Sequence, residues 1–272
     1  MGYGWGSART DLAGSGAVTT MPQCCAGPSS FTSNFGFADS NTARLSGIIG
    51  GAQIGYNFQP KPIPRWILGF EADIQGTGER GAGAFSNSFS TPVCWQENPL
   101  GHCSIFLPLQ GASGSAYEAS IGWFGTVRGR LGYLLTNQLL LYGTGGLAFG
   151  QVKVSGNSVL SSSTSCGFCA PTFQSLPPFG TAFDASKTNI GFSAGAGIEG
   201  KFSAWLPANW TWKLEYLYVN LGSLDVAAPF AVSAPNCNCF ADNITTGPTG
   251  TIHTRTYFTD NILRVGLNYR FH

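Results

Sequence analysis

The stretch that decides the fold closes the chain: Asn261-Ile-Leu-Arg-Val-Gly-Leu-Asn-Tyr-Arg-Phe271. Leu263, Val265, Leu267, Tyr269 and Phe271 fall on one side of an extended backbone. Arg264, Gly266, Asn268 and Arg270 fall on the other, the period-two pattern of a strand with one apolar and one polar face. Working upstream, Trp212, Leu214, Tyr216 and Tyr218 alternate with Lys213, Glu215, Leu217 and Val219, and Trp66, Leu68, Phe70 and Ile74 with Ile67, Gly69, Glu71, Asp73 and Gln75. Val127, Leu131 and Tyr133 oppose Thr126, Arg128 and Arg130; Ile48, Ala52, Ile54, Tyr56 and Phe58 oppose Gln53, Gly55 and Asn57; Ile190, Phe192 and Ile198 oppose Ser193 and Glu199. The segment around Leu139, Leu141, Leu147 and Phe149 is weaker, because Leu140 and Tyr142 occupy its other face. Apolar residues nowhere recur at three and four, and the glycine density would cost a helix about 1 kcal/mol per site. Seven strands are predicted, at roughly 43–58, 64–76, 117–135, 138–154, 186–202, 209–222 and 255–271.

Composition narrows the setting. Of 272 residues, 43% are hydrophobic and only 10% charged, against about a quarter charged in a soluble domain. Twenty Phe, nine Tyr and seven Trp exclude a disordered chain. Fourteen Lys and Arg against 13 Asp and Glu leave a net charge of +1, which offers no footprint for nucleic acid. No apolar run of about 18 residues exists to make a transmembrane helix: the nearest, Leu134 to Gly150, is interrupted by Thr136, Asn137, Gln138 and Thr144. No signal-peptide pattern follows Met1, yet eight Cys suggest an oxidising compartment. The two together lead us to expect a mature form, or a sequence that starts inside its reading frame.

The connections alternate in length. Short turns lie at Gln59–Arg65, at Thr136–Asn137 and near Pro207, whereas 7–42, 77–116, 155–185 and 223–254 are long and rich in Gly, Ser, Pro and Asn. Short turns at one end and long loops at the other are the mark of a transmembrane β-barrel. Strands of this length also exceed the soluble mode of about 5–6 residues and suffice to cross hydrocarbon at a tilt. Single-chain bacterial barrels use even strand numbers. Gly2-Tyr3-Gly4-Trp5-Gly6 is therefore read as the end of a truncated first strand, whose start and signal peptide are expected upstream of Met1.

With these residues in place, the chain resembles the small outer-membrane β-barrels of the opacity-type, immunogenic porin-like surface proteins of Gram-negative bacteria. The resemblance rests on Gly51-Ala-Gln-Ile-Gly-Tyr-Asn57, Gly69-Phe-Glu-Ala-Asp-Ile-Gln75, Gly125-Thr-Val-Arg-Gly-Arg-Leu-Gly-Tyr133, Tyr142-Gly-Thr-Gly-Gly-Leu-Ala148, Gly195-Ala-Gly-Ile-Glu199, Lys213-Leu-Glu-Tyr-Leu-Tyr218 and Asn261–Phe271. It covers every predicted strand but none of the long loops. It implies an all-β, antiparallel up-and-down barrel of eight strands forming a single domain over 1–272, exported by a signal peptide and placed in the cell outer membrane. It also implies a C-terminal aromatic residue, where this chain departs by following Phe271 with His272.

The polar faces place Glu71, Asp73, Arg128, Arg130, Glu199, Lys213, Glu215, Arg264 and Arg270 toward one interior, five cations against four anions. A buried charge without a partner costs several kcal/mol, so cross-strand pairs of Arg128 and Arg130 with Glu71 and Asp73 are expected. Such a layer reads as a charged plug, or alternatively as a narrow or gated pore for small solutes. The cysteines fall two to a loop: Cys24 and Cys25, Cys94 and Cys103, Cys166 and Cys169, Cys237 and Cys239. Disulfides, some between loops, are the first reading; soft-metal binding through Cys166, Cys169, Cys237 and Cys239, or free thiols, are the others.

Gly191-Phe-Ser-Ala-Gly195 matches a nucleophile elbow and Gly195-Ala-Gly-Ile-Glu-Gly200 a dinucleotide fingerprint, but both fall within an alternating strand and lack the helix each requires. His102, His253 and His272 are scattered. Trp66, Trp123, Trp205, Trp210 and Trp212 lie near strand ends, as interfacial girdles do. The expectation is a monomeric, non-enzymatic surface barrel with no cofactor and no metal. Its partners are outer-membrane lipid and, through the loops, an extracellular molecule; nucleic acid is not among them.

Overall fold

The computed structural model describes residues 1–21, 30–98, 100, 102–165, 173–175, 178–202, 209–231 and 243–270. These residues form nine strands: β1 (Gly2–Met21), β2 (Phe31–Phe58), β3 (Trp66–Glu97), β4 (Cys103–Thr136), β5 (Leu139–Ser165), β6 (Phe173–Ser175), β7 (Phe179–Lys201), β8 (Trp210–Ala231) and β9 (Asn243–Tyr269). All pairings are antiparallel. The eight long strands close a ring in the order β1-β2-β3-β4-β5-β7-β8-β9, with β1 returning to β9, while β6 pairs only with the tip of β5. An up-and-down barrel is thus established. Among the described residues there is no helix.

Strand length corrects the sequence reading. The stretches expected to be long loops, 7–42, 77–116, 155–185 and 223–254, are largely strand, and the described connections at that end shrink to hairpin tips. The first strand, expected to survive only as Gly2–Gly6, runs Gly2–Met21 and pairs on both sides. Its register begins with Gly2 opposite Ile49 and Arg264. Below that level β2 and β9 face each other directly, and Gln53 Nε2 donates to Asn268 Oδ1 at 2.6 Å across the interval.

The ring has two parts. Near the short turns it is continuous, and its outer surface is greasy: Ile54, Phe70, Leu131, Leu147, Ile190, Leu263, Val265 and Leu267 all stand exposed. Rings mark both margins of this belt. Trp66 packs on Tyr133 and Trp210 on Tyr269 toward the short turns; Trp5 packs on Tyr216, Trp123 on Phe149 and Phe192 on Tyr218 farther up. That is the outward apolar band with aromatic girdles that lipid demands. Trp205 and Phe271 lie outside the described residues.

Beyond the belt the ring opens along two seams. Pairing between β2 and β3 stops at Ser46 and Arg80, and pairing between β7 and β8 stops at Phe192 and Asn220. Each seam starts near an irregularity. In β3 the register with β4 shifts between Gly76 and Glu79; in β8 it shifts between Asn220 and Gly222, where Gly222 takes φ 72° and donates its N–H to Asn220 Oδ1 at 2.8 Å. An extra residue bends a strand out of its ladder, and glycine adopts the positive φ without penalty. Above the seams, β8-β9-β1-β2 and β3-β4-β5-β7 form two four-stranded sheets packed face to face.

Phenylalanines fill the space between these sheets. Phe35 of one sheet stacks on Phe89 of the other with centroids 4.5 Å apart, and Phe37 lies 5.9 Å from Phe89. Each ring rests on a glycine directly across the ladder: Phe35 on Gly16, Phe89 on Gly111 and Phe230 on Gly250, where a Cβ would meet ring carbons within 2.7 Å. Tyr117 spans the sheets, its hydroxyl donating to Asn41 Oδ1 at 3.2 Å, and burial raises the pKa of its phenol.

Candidate functional site

Inside the belt the strands point small or ionic side chains inward. Glu71 and Asp73 come from β3, Arg128 and Arg130 from β4, Glu199 from β7, Lys213 and Glu215 from β8 and Arg264 from β9. All eight are buried, and Arg128, Lys213 and Glu215 are at most 1% exposed. Arg270 joins from beyond β9 with its side chain 40% exposed. The nine side chains singled out in the sequence therefore lie in one layer across the lumen.

Their geometry is a mesh rather than a set of pairs. Arg128 donates to Asp73 and to Glu215, both at 2.9 Å, and reaches Glu71 at 3.3 Å. Its Nε is turned onto the Thr126 hydroxyl at 2.9 Å, and that hydroxyl donates to Asp73 Oδ2 at the same distance. Arg130 bridges Glu71 at 2.8 Å and Glu199 at 2.6 Å, and lies over the Tyr142 ring at 3.7 Å, a cation–π contact. Glu199 is held further by Thr211 at 2.8 Å and Arg270 at 3.0 Å. Arg264 links Asp73 and Glu215 across the lumen.

Lys213 is the exception. Its Nζ stands 3.4 Å from Glu215 and 3.7 Å from Glu71 but makes no hydrogen bond. Glycines admit this layer: a Cβ on Gly146 would sit 2.1 Å from the Val127 carbonyl, and one on Gly266 would crowd the Lys213 stem. Neither could be read as a functional position in advance.

Above the ionic layer the lumen turns apolar, with Leu45, Ile49, Ile121, Phe124, Leu217, Phe258 and Ile262 each at most 1% exposed. Within it sits a feature the sequence reading missed. Glu79 of β3 and Asp260 of β9 are 0% and 1% exposed, their carboxyl groups interact directly, and no oxygen of either accepts a hydrogen bond from a described donor. Gly4 makes room for the pair, since a Cβ there would overlap Glu79 Oε1. An acid in a run of small residues, Gly76-Thr-Gly-Glu79, gave no alternation signal.

At the far end of β3 and β4, Cys94 and Cys103 form a disulfide, with Cα atoms 5.7 Å apart. Cys24, Cys25, Cys166, Cys169, Cys237 and Cys239 lie outside the described residues. Ser193, the centre of the elbow-like pentapeptide, sits in mid-strand opposite Gly146 and Val219 and has no hydrogen-bonded His or Asp. His102 and His253 are exposed, and His272 lies outside the described residues.

Comparison with known proteins agrees with this architecture. Residues 24–271 match the model of the outer membrane protein beta-barrel domain. The chain is 34% identical over 228 residues to a 31 kDa outer-membrane immunogenic protein of Brucella melitensis, covering 83% of this chain and 67% of that protein. It is 39% identical over 175 residues to a 22 kDa outer membrane protein of Rhizobium leguminosarum bv. viciae, covering 61% and 69%.

Proposed function

The chain belongs to the outer membrane protein beta-barrel domain family and resides in the outer membrane of a Gram-negative bacterium; from that premise we propose that it is a sealed, non-catalytic barrel with a structural and surface-interaction role. The observation that carries this reading is the ionic layer. Eight strands enclose just enough space for side chains to fill, and here Arg128, Lys213 and Glu215 occupy it with at most 1% exposure. A second obstruction follows in series, the stacked Phe35 and Phe89 between the two outer sheets.

Long hairpins give the molecule its outward face. With short turns on the periplasmic side, β1–β2, β3–β4, β5–β7 and β8–β9 project outward, and the Cys94–Cys103 bridge ties the tip of one of them. A rigid stalk with tied tips suits recognition by an extracellular partner better than passage of solute. The barrel acts as a monomer in this reading, since its lateral surface is the lipid-facing belt.

A narrow or gated pore is the alternative, and one feature favours it: Lys213 lacks a hydrogen bond in a layer that carries one cation in excess. Planar-bilayer recording separates the two. The sealed barrel gives no conductance steps for the wild type and irregular leak for Glu71→Gln; reproducible unitary steps from the wild type would establish the pore.

A further inference from the structure

Of the nine arginines, Arg44 and Arg80 are the two for which no carboxylate, hydroxyl or carbonyl partner exists among the described residues. Both are exposed, and both point outward from the barrel wall, Arg44 from β2 and Arg80 from β3. Ser46 stands directly opposite Arg80 across the ladder and two residues from Arg44 on the same face. Arg44 and Arg80 are thus diagonal neighbours, about 7–8 Å apart at the backbone and within reach of long side chains. Two guanidinium groups so placed repel each other unless an anion lies between them.

Their height says which anion. Ser46 is also opposite Trp5, the last ring of the upper girdle on β1, and Arg44 is opposite Ser7, the next outward position above it. Two residues along a strand tilted by about 40° rise roughly 5 Å along the membrane normal. The headgroup layer over each face of the hydrocarbon is about 5–8 Å deep. Arg44 and Arg80 therefore stand at the level of lipid phosphates, immediately above the apolar surface of Trp5 and Ile48, which are 43% and 69% exposed.

Neighbouring charges leave the site open. Arg9, the next outward residue on β1, is held by Asp11 at 3.3 Å. Glu118, opposite Ala82 on the far side of Arg80, makes no ion pair with it. Farther round the wall the exposed cations Lys153 and Arg255 are each matched, by Asp184 and Asp225. The unmatched positive charge is concentrated where β2 and β3 part.

We propose that Arg44, Arg80 and the Ser46 hydroxyl form a binding site on the outer wall of the barrel for the phosphate of an outer-leaflet lipid headgroup, with the acyl chains lying along Ile48 and Trp5. Arginine suits this task because its planar fork donates in pairs to phosphate oxygens. The site prefers a phosphomonoester, which offers three free oxygens and more charge, over a diester.

The test compares the folded protein in phosphatidylcholine vesicles, in the same vesicles with a minor fraction of phosphatidic acid, with the same fraction of phosphatidylglycerol, and with inorganic phosphate in the buffer instead. The midpoint of thermal unfolding of the wild type should rise by about 2–5 °C with phosphatidic acid, less with phosphatidylglycerol and not with inorganic phosphate. Arg44→Gln/Arg80→Gln should fold and lose the increment, and Arg44→Lys/Arg80→Lys should keep part of it but not the preference for the monoester. An equal increment in the double Gln variant, or equal effects of the two anionic lipids on the wild type, would overturn the proposal; a matching effect of free phosphate would reduce it to an adventitious ion only.

Discussion

Replacing Glu215 with Gln is the sharpest probe of the lumen. Its carboxylate touches three cations: Arg128 at 2.9 Å, Lys213 at 3.4 Å and Arg264 at 2.5 Å. At an effective dielectric of about 20, these contacts sum to a gross attraction of roughly 17 kcal/mol. Most of that is cancelled by the several kcal/mol needed to strip each ion of water, and by repulsion from Asp73 and Glu71 around the same guanidinium. What survives when one partner of a buried mesh is removed is about 3–5 kcal/mol. The substitution keeps shape and leaves five cations facing three anions, so the loss is electrostatic and not steric. The assay is the loss of the compact, heat-modifiable band on unheated gels, read alongside tryptophan fluorescence in vesicles. At about 2–4 °C per kcal/mol for a chain of this size, the midpoint should fall by roughly 10 °C. A second substitution sharpens the test: Lys213→Met, which removes the cation lacking a hydrogen bond, should recover part of the loss in the double variant. A cost below about 1 kcal/mol for Glu215→Gln, or a double variant worse than the sum of the singles, would refute the reasoning that charge balance holds this layer.

Three further outcomes are expected. Glu79→Gln removes one of two facing negative charges and gives Asp260 a donor, so it should stabilise the fold by about 1–3 kcal/mol in the same unfolding assay; destabilisation would show that the pair is satisfied in some other way. Phe89→Ala, which vacates the stack on Phe35 and the seat on Gly111, should cost about 3–5 kcal/mol and expose the β3–β4 hairpin to protease, while the belt still enters vesicles. Cys94→Ser/Cys103→Ser opens a bridge spanning nine residues, worth about 2–3 kcal/mol by loop entropy. Its effect should be confined to cleavage near the hairpin tip, with the barrel's own midpoint unchanged.

The belt was legible because lipid outside and ions inside impose opposite chemistry on successive residues. Val265 and Leu267 facing hydrocarbon, with Arg264 between them, leave no other reading. The converging charges were legible for the same reason: once Glu71, Arg128, Glu215 and Arg264 share the inward parity, a closed ring brings them together. The outer sheets were not read as strand, although a signal existed. Phe85 and Phe89, Phe179 and Phe183, and Leu224, Val226, Ala228 and Phe230 keep the alternation. Gly, Ser and Thr fill the positions between them, and such residues score as loop when taken one by one. Bulges compounded the loss. Inward positions are odd-numbered in β8 up to Leu221 and even-numbered from Leu224 onward, because Gly222 adds a residue to the count; the predicted strand stopped at 222, where its parity broke. Likewise, β4 changes parity between Ile121 and Trp123.

The two halves of each strand thus obey opposite rules, and the boundary between them locates the membrane surface. In β9, Leu263 faces out and Arg264 faces in; ten residues toward the tip, His253 faces out and Ile252 faces in. Such an inversion is what one continuous sheet must show when it leaves lipid for water, since the greasy side has to move from the wall to the interior. Among the described residues the change falls at one level on several strands: at Ile48 and Ile49 in β2, at the Gly76–Glu79 irregularity in β3, at Ile121–Trp123 in β4 and at Asn220–Gly222 in β8. Arg44 and Arg80 stand on the water side of it. The coincidence has a physical cause. A ring whose interior turns apolar can pack its walls together only by flattening, flattening requires the ladder to part at two opposite places, and a bulge is the least costly way to turn a strand out of its ladder.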